Sequence, residues 1–351
     1  MHDFPVVSNE MEDVLLGARE EGNKELEARA LTALAEVALL READVARAVQ
    51  LGKKAVEVAE DDESRVDALK ILETAAWWRG ELREAETYAE EQLEIARRLE
   101  RLDLESDALL QLAGIYVSRR EGDRAEPLIE RALSLAGESG SLTAQARAFR
   151  ELGELHAFRG RHEEALAEFG RARGLFEEVG AAANVARTLL HMGRLLARRD
   201  DIAAGERHLR EALRILQPLE DRGTLCEVQR GLAEVLLEQG KVDAAEAYAL
   251  KAVETTGPDD VSSQATTRKT LATVRAVQGR DEEAEALLLE SIEILERSEY
   301  TRFLSEPLKA MIQFLEERGR VEDVVAYEER LAELRAGAMP DEAPERIAEP
   351  A

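Results

Sequence analysis

Histidine and cysteine are the side chains of this chain best suited to catalysis or metal binding. The 351 residues include five histidines and one cysteine, namely His2, His156, His162, His191, His208 and Cys226. No pair of histidines has the HExxH spacing that holds zinc on one helix face, and one cysteine can form neither an internal disulfide nor a thiolate-rich metal site. The glycines form no phosphate-binding loop. We therefore expect no metal, no cofactor and no enzymatic activity, and an enzyme is the least favoured class.

Arginine offers a different chemistry, the binding of carboxylates, because its planar guanidinium can donate two parallel hydrogen bonds. The arginines considered for this role are Arg147, Arg150, Arg187, Arg194, Arg198 and Arg230. In a chain whose net charge is −27, they stand out as a candidate anion-binding strip. The alternative interpretation is that they pair with Glu154, Glu234 or neighbouring helices and only solvate the surface.

The two tryptophans, Trp77 and Trp78, are adjacent. On a helix their side chains point about 100° apart, so one can pack inside the protein while the other faces outward. Exposed tryptophan is enriched at the energetic centres of interfaces. Ordinary packing between helices and a role as an interface anchor both remain open.

These side chains must be positioned by a repeat, which is the organising feature of the sequence. A small residue opens an Ala-rich amphipathic stretch eight times, with successive spacings of 37, 40, 40, 40, 40, 39 and 40 residues. We call these residues the anchors: Ala48, Ala85, Ala125, Ala165, Gly205, Ala245, Ala284 and Val324. Small side chains are needed where the second helix of a hairpin approaches the first closely. The pattern predicts an all-α superhelix of tandem helical hairpins.

The repeat resembles the tetratricopeptide repeat. The resemblance rests on Phe149, Leu152-Gly153, Gly160, Ala165, Phe169 and Ala172, which stand where that family places its signature residues. The segment AEPLIERAL at 125–133 looks like the longer-period form found in kinesin-light-chain-like proteins. The resemblance covers most of the chain, although the period of 40 is longer than the usual 34.

The predicted organisation has three parts. Residues 1–22 form an N-terminal capping helix, residues 23–336 form the repeat superhelix, and residues 337–351 form a disordered acidic tail that contains three prolines. We predict eight hairpins, at 24–59, 64–99, 103–137, 142–178, 182–217, 222–256, 262–297 and 302–336. A half-hairpin at the open end would cap the exposed face of the first repeat.

The resemblance also implies a working surface. In the family, the first helix of each hairpin lines a concave groove, and the matching positions here give a candidate partner-binding groove. It consists of Lys70, Trp77, Trp78, Arg147, Arg150, Glu154, Arg187, Arg194, Arg198, Arg230 and Lys269.

The expected function is a non-enzymatic scaffold that binds a protein or peptide partner, acidic or carboxylate-terminated. The alternative is a peptide-responsive regulator like the tetratricopeptide pheromone receptors. The strongly acidic balance argues against nucleic acid as a partner. No run of 18 apolar residues could span a bilayer, and a single cysteine fits a reducing compartment, so we expect a cytoplasmic protein without membrane contact.

Overall fold

The computed structural model describes residues 4–42, 44–219 and 221–336, and within these ranges the regular structure is entirely helical. Seventeen α-helices follow one another along this part of the chain. They are α1 Phe4–Glu21, α2 Lys24–Val37, α3 Val45–Val58, α4 Asp62–Trp78, α5 Leu82–Arg98, α6 Leu102–Ser118, α7 Gly122–Ser139, α8 Leu142–Phe158, α9 His162–Glu178, α10 Ala182–Arg198, α11 Ile202–Leu216, α12 Arg222–Glu238, α13 Val242–Thr255, α14 Val261–Val277, α15 Asp281–Glu296, α16 Thr301–Glu317 and α17 Val321–Ala336. A π-helical segment, Ala38–Glu42, continues α2.

The helices from α2 to α17 pair into eight antiparallel hairpins, numbered here from α2–α3 to α16–α17. Each hairpin also packs against the next one, and most first helices also contact the first helix of the next hairpin. Helix α1 packs on α2 as a half-hairpin. The predicted fold class, an α-α solenoid of eight hairpins with an N-terminal half-hairpin, is therefore confirmed. The predicted tail at 337–351 lies outside the described residues.

Close approach within each hairpin depends on the anchors, which are buried in every repeat. The effect is clearest where glycine replaces alanine on the first helix. A Cβ atom built on Gly153 would lie 2.7 Å from the ring of Phe169, and one built on Gly193 would lie 2.9 Å from Leu209. The second helix can therefore rest directly on the backbone of the first.

Several first helices begin with a side-chain cap. Asp61, Ser141, Asp221 and Asp260 each accept a hydrogen bond from the backbone N–H three residues later. Such caps satisfy N–H groups that have no partner within the helix and fix where it starts. These caps fix the starting residue of the first helix in hairpins two, four, six and seven. The first helices line the interior of the stack.

The superhelix returns on itself through a contact between hairpins that are far apart in sequence. The α4–α5 turn meets the α15–α16 turn, and we call this contact the clasp: Trp77, Gly80 and Arg83 on one side, Ser298, Glu299 and Tyr300 on the other. The Tyr300 hydroxyl donates to the carbonyl of Trp77, and the Glu299 N–H donates to the carbonyl of Gly80 at 3.0 Å. The Arg83 N–H donates to the Glu299 carboxylate at 2.7 Å.

Aromatic packing completes the clasp. The Trp77 and Tyr300 rings meet edge to face, with centroids 6.0 Å apart, and Tyr300 makes a second such contact with Phe303 at 5.5 Å. Tyr300 is 1% exposed. Helix α16 also touches α6, so the hairpins from two to eight form a closed ring.

Candidate functional site

The ring surrounds a cavity of about 950 Å³ that is partly open to solvent. Its wall is built mainly from the concave faces of α4, α6, α8 and α10, and the first residues of α12, α14 and α16 complete it. Parts of α1 and α2 line one end. The volume lies at the upper end of the range for sites that hold small ligands.

One side of the cavity is apolar. It contains Trp77, Trp78, Leu110, Val117 and Phe303. Gly114 on α6 leaves room for Trp77, because a Cβ atom at this position would lie 3.4 Å from the Trp77 ring. Both tryptophans are half-buried, so each one packs against the core and also faces the cavity. The two interpretations of the tryptophan pair are therefore compatible.

The opposite side carries Arg147, Arg150, Arg187 and Arg194. Two of these arginines bind carboxylates at short distance. Arg147 lies 2.7 Å from Asp107, and Arg150 lies 2.9 Å from Glu151 while also donating to Asn184 at 3.1 Å. The Nε of Arg150 is buried and finds no hydrogen-bond partner among the described residues. A buried donor without a partner costs free energy, because it has lost its hydrogen bonds to water.

Arg187 and Arg194 are held less tightly. Arg187 lies 3.6 Å from Asp221 and donates to the Thr224 hydroxyl, and Arg194 lies 3.1 Å from Glu227. Burial and the nearby charge of Arg230 lower the pKa of Arg194 to about 10, so it remains charged at neutral pH in crowded positive surroundings. Ion pairing of the arginines, the alternative left open by the sequence, is therefore what the structure shows.

Arg230 and Lys269 lie beyond the cavity wall. Arg230 is 3% exposed and sits between Glu227 at 2.6 Å and Glu234 at 2.9 Å. Burial opposes its charge, but the two carboxylates raise its pKa. Lys269 extends the network, with its Nζ 3.4 Å from Glu234. This chain of charges ties α12 to α14 and has a structural role.

Two other predicted groove residues also lie away from the cavity. Lys70 pairs with Asp67 at 3.6 Å, and Arg198 is exposed at the end of α10. The structure thus brings together seven of the eleven predicted residues around the cavity: Trp77, Trp78, Arg147, Arg150, Glu154, Arg187 and Arg194.

Glu73 and Asp260 are among the carboxylates of the cavity wall that the sequence interpretation missed. Glu73 is buried and accepts hydrogen bonds only from neutral groups, Thr74 and Gln111, each at 3.3 Å. Burial raises its pKa to about 7, although the Thr74 bond and the charge of Arg147 oppose this. Asp260, the cap of α14, also has its pKa raised by burial. Glu73 occupies a position where five other repeats have alanine or glycine, and this departure from the repeat pattern was the sequence signal that could have identified it.

His191 also lines the cavity. Its Nε2 lies 3.2 Å from Glu154, and its ring stacks on Phe169 with centroids 5.6 Å apart. Burial and the charge of Arg150 lower its pKa to about 3, so the imidazole is neutral at physiological pH. The Nε2 therefore faces the Glu154 carboxylate as part of a neutral ring.

The cavity wall offers apolar side chains, cations and carboxylates that a ligand could contact. No group of three or more His, Cys, Asp or Glu side chains among the described residues could hold a metal ion. The Cys226 thiol is buried against Thr256, and burial raises its pKa to about 12, which disfavours the reactive thiolate. None of the helices described is both long and apolar enough to cross a membrane.

Comparison with known proteins gives a consistent picture. The sequence profile of the tetratricopeptide repeat matches residues 104–178, 142–217, 184–256 and 224–297, which together span more than half of the chain. No curated protein matches the chain in sequence.

Solved structures with the same architecture include two Rap proteins. A Rap protein complexed with competence and sporulation factor has a TM-score of 0.69 at 13% identity, covering 96% of this chain and 98% of that one. The apo form of RapI has a TM-score of 0.55 at 15% identity, with coverage of 76% and 97%. BtubC (BKLC) from P. vanneervenii has 0.49 at 21% identity, with coverage of 61% and 90%. At these identities the likeness concerns the fold alone.

Proposed function

Because the chain belongs to the tetratricopeptide repeat family, we propose that it is a non-enzymatic interaction scaffold that binds a short protein or peptide segment inside its ring. The observation that carries this proposal is the cavity of about 950 Å³ on the concave faces of the first helices. A cavity with one apolar wall and a few polar groups aimed inward is the usual form of a binding site.

The wall specifies the chemistry of the segment. Trp77 and Phe303 would contact a large apolar side chain. The loosely paired and more exposed Arg187 would bind a carboxylate, either an acidic side chain or a free C-terminus. Since Arg147 and Arg194 are already paired, the carboxylate must compete with the protein's own acidic groups, and the apolar contact supplies much of the affinity.

Selection of peptides from a random library would test the proposal, with each selected peptide prepared both as a free acid and as a C-terminal amide. We expect saturable binding that falls about tenfold or more in Arg187→Glu, because the attraction between Arg187 and the ligand carboxylate is replaced by repulsion. The matched control is Arg171→Glu on the second helix α9, where Arg171 pairs with Glu168 outside the cavity. Selected peptides that bind equally well to both variants would exclude the cavity as the binding site.

A second candidate function is a peptide-responsive regulator. It is favoured by the likeness to the Rap protein solved with competence and sporulation factor, which extends over 96% of this chain. In this case the peptide would change how the outer surface docks a second protein. The affinity of this protein for a captured partner would be measured with and without a selected peptide. A regulator would show two different affinities, whereas a passive scaffold would show the same affinity in both cases.

A further inference from the structure

We propose that the clasp is a reversible latch: it closes the ring around the cavity and opens to let a segment enter from the side. The purpose of the latch rests on the proposed function, because the latch would admit the bound segment. The opening and closing of the ring can be tested without any partner.

The clasp joins hairpins that the repeat architecture does not otherwise hold together. In a solenoid each repeat is stabilised by its own helices and by its immediate neighbours. The Tyr300 hydroxyl reaches the Trp77 carbonyl across 223 residues of chain. Breaking this contact leaves every hairpin with its neighbours intact, so the ring can open without unfolding any repeat.

The contact has a polar rim around a buried aromatic centre. Its polar part consists of the Glu299 N–H bond to the Gly80 carbonyl, the hydrogen bond and ion pair of Arg83 with the Glu299 carboxylate, and the Tyr300 hydroxyl bond. Its centre is Tyr300, which contacts Trp77 edge to face and belongs to the same hydrophobic cluster as core residues of hairpins two and three. The Arg83 side chain is 86% exposed, so water reaches the rim, and this exposed part of the contact is where opening would begin.

The latch and the cavity share residues. Trp77 belongs to both, and Phe303, which packs edge to face on Tyr300, lies in the cavity wall. A segment in the cavity therefore contacts the latch directly. Any occupant that binds the closed ring more tightly than the open one shifts the equilibrium toward closure.

Gly80 provides a matched pair of variants. A Cβ atom on Gly80 would lie 2.7 Å from the Cβ of Ser298 and 3.2 Å from the Tyr300 ring, so Gly80→Ala forces the clasp apart. Gly160 occupies the same place in the α8–α9 turn and has the same φ of +72°, but its Cβ would meet nothing within 4 Å. Gly160→Ala therefore reproduces the backbone strain without touching the clasp.

Access to the cavity is the first measurement. Thr74 lines the cavity, and Thr74→Cys would be labelled with a polyethylene-glycol maleimide too bulky for the closed ring. We expect labelling about tenfold faster with Gly80→Ala than with Gly160→Ala. Tyr300→Phe, which removes one hydrogen bond, should accelerate it about fivefold. Equal rates in Gly80→Ala and Gly160→Ala would overturn the proposal.

The width of the ring is the second measurement. Spin labels on Glu90→Cys in α5 and Glu293→Cys in α15 stand on exposed faces on either side of the clasp. We expect a longer distance to appear in Gly80→Ala and to be absent in Gly160→Ala. Identical distance distributions in the two variants would show that the clasp does not open. Both measurements could show no opening of the ring although peptides still bind, and the ring could open although no peptide binds. The latch and the proposed function can therefore fail independently.

Discussion

The hydroxyl of Tyr300 donates a hydrogen bond to the backbone carbonyl of Trp77, 223 residues earlier in the chain. Tyr300 precedes the first helix of the last hairpin, and Trp77 lies in the last turn of the first helix of the second. This bond is one of the clasp contacts that connect the two ends of the superhelical turn beside the cavity-lining Trp77. The cavity is consequently bounded by contacts between distant repeats as well as by neighbouring ones.

Gly153→Ala is expected to destabilise the protein by about 1–2 kcal/mol. The new methyl group would lie 2.7 Å from the buried ring of Phe169, and this overpacking outweighs the better helix propensity of alanine. Gly174→Ala, in α9 with nothing within 4 Å, should instead stabilise by about 0.5–1 kcal/mol. Urea unfolding monitored by circular dichroism measures both, and a destabilised Gly174→Ala would contradict the explanation.

Glu73→Gln is expected to stabilise the protein above pH 7. The folded state raises the pKa of Glu73 from 4.5 to about 7, so the folded protein holds this proton more strongly than the unfolded chain does. Its ionisation therefore lowers the free energy of unfolding as the pH rises through this window, by about 3 kcal/mol when complete.

Thermal unfolding of Glu73→Gln and the wild type at pH 5 and pH 8 would show this effect. The difference between the two proteins should be larger at pH 8. Glu57→Gln, on the exposed face of α3, is the control and should show no such pH dependence. A constant difference at both pH values would mean that Glu73 does not titrate in this range.

Arg230→Ala is expected to cost about 3–5 kcal/mol of stability, because Glu227 and Glu234 would then face each other without the buried cation between them. Arg297→Ala removes an exposed ion pair with Glu293 and should cost less than about 0.5 kcal/mol. Denaturant unfolding of the two variants compares a buried and an exposed pair directly. Similar costs would show that the buried network contributes little.

Cys226 is expected to resist thiol reagents in the folded protein. Its side chain is buried, and the pKa of its thiol is raised to about 12, so both access and thiolate formation are disfavoured. A colorimetric disulfide reagent should react about a hundredfold more slowly with the native protein than with the urea-unfolded chain. In the native protein the reaction requires local or global unfolding that exposes the thiol. Rapid reaction under native conditions would indicate an open segment around α12.

The hairpins were predictable because each one depends on local rules. Ala85, Ala125 and Ala165 recur at the period of the repeat, and close helix contact requires small side chains at these positions. The clasp depends on the sum of the small rotations between successive hairpins. No local sequence pattern specifies this sum. No motif or spacing in the sequence relates Tyr300 to Trp77.

The candidate site was predictable in part for the same reason. Positions on the first helices placed Trp77, Arg150 and Arg187 at the concave surface. Their ion-pair partners come from neighbouring helices, as Asp107 does for Arg147, and depend on side-chain reach across the stack. Burial of Arg230 likewise depends on the distance between α12 and α14.

Closure of the ring has a consequence for how this array can change in evolution. Arrays of this kind ordinarily lengthen or shorten by duplication or deletion of whole units, because each unit meets only its neighbours. Here the loss of one hairpin between the second and the eighth would rotate Tyr300 away from Trp77. A duplicated hairpin would move Tyr300 beyond Trp77. The closure therefore depends on the number of units in this interval, whereas units added outside it leave the closure intact.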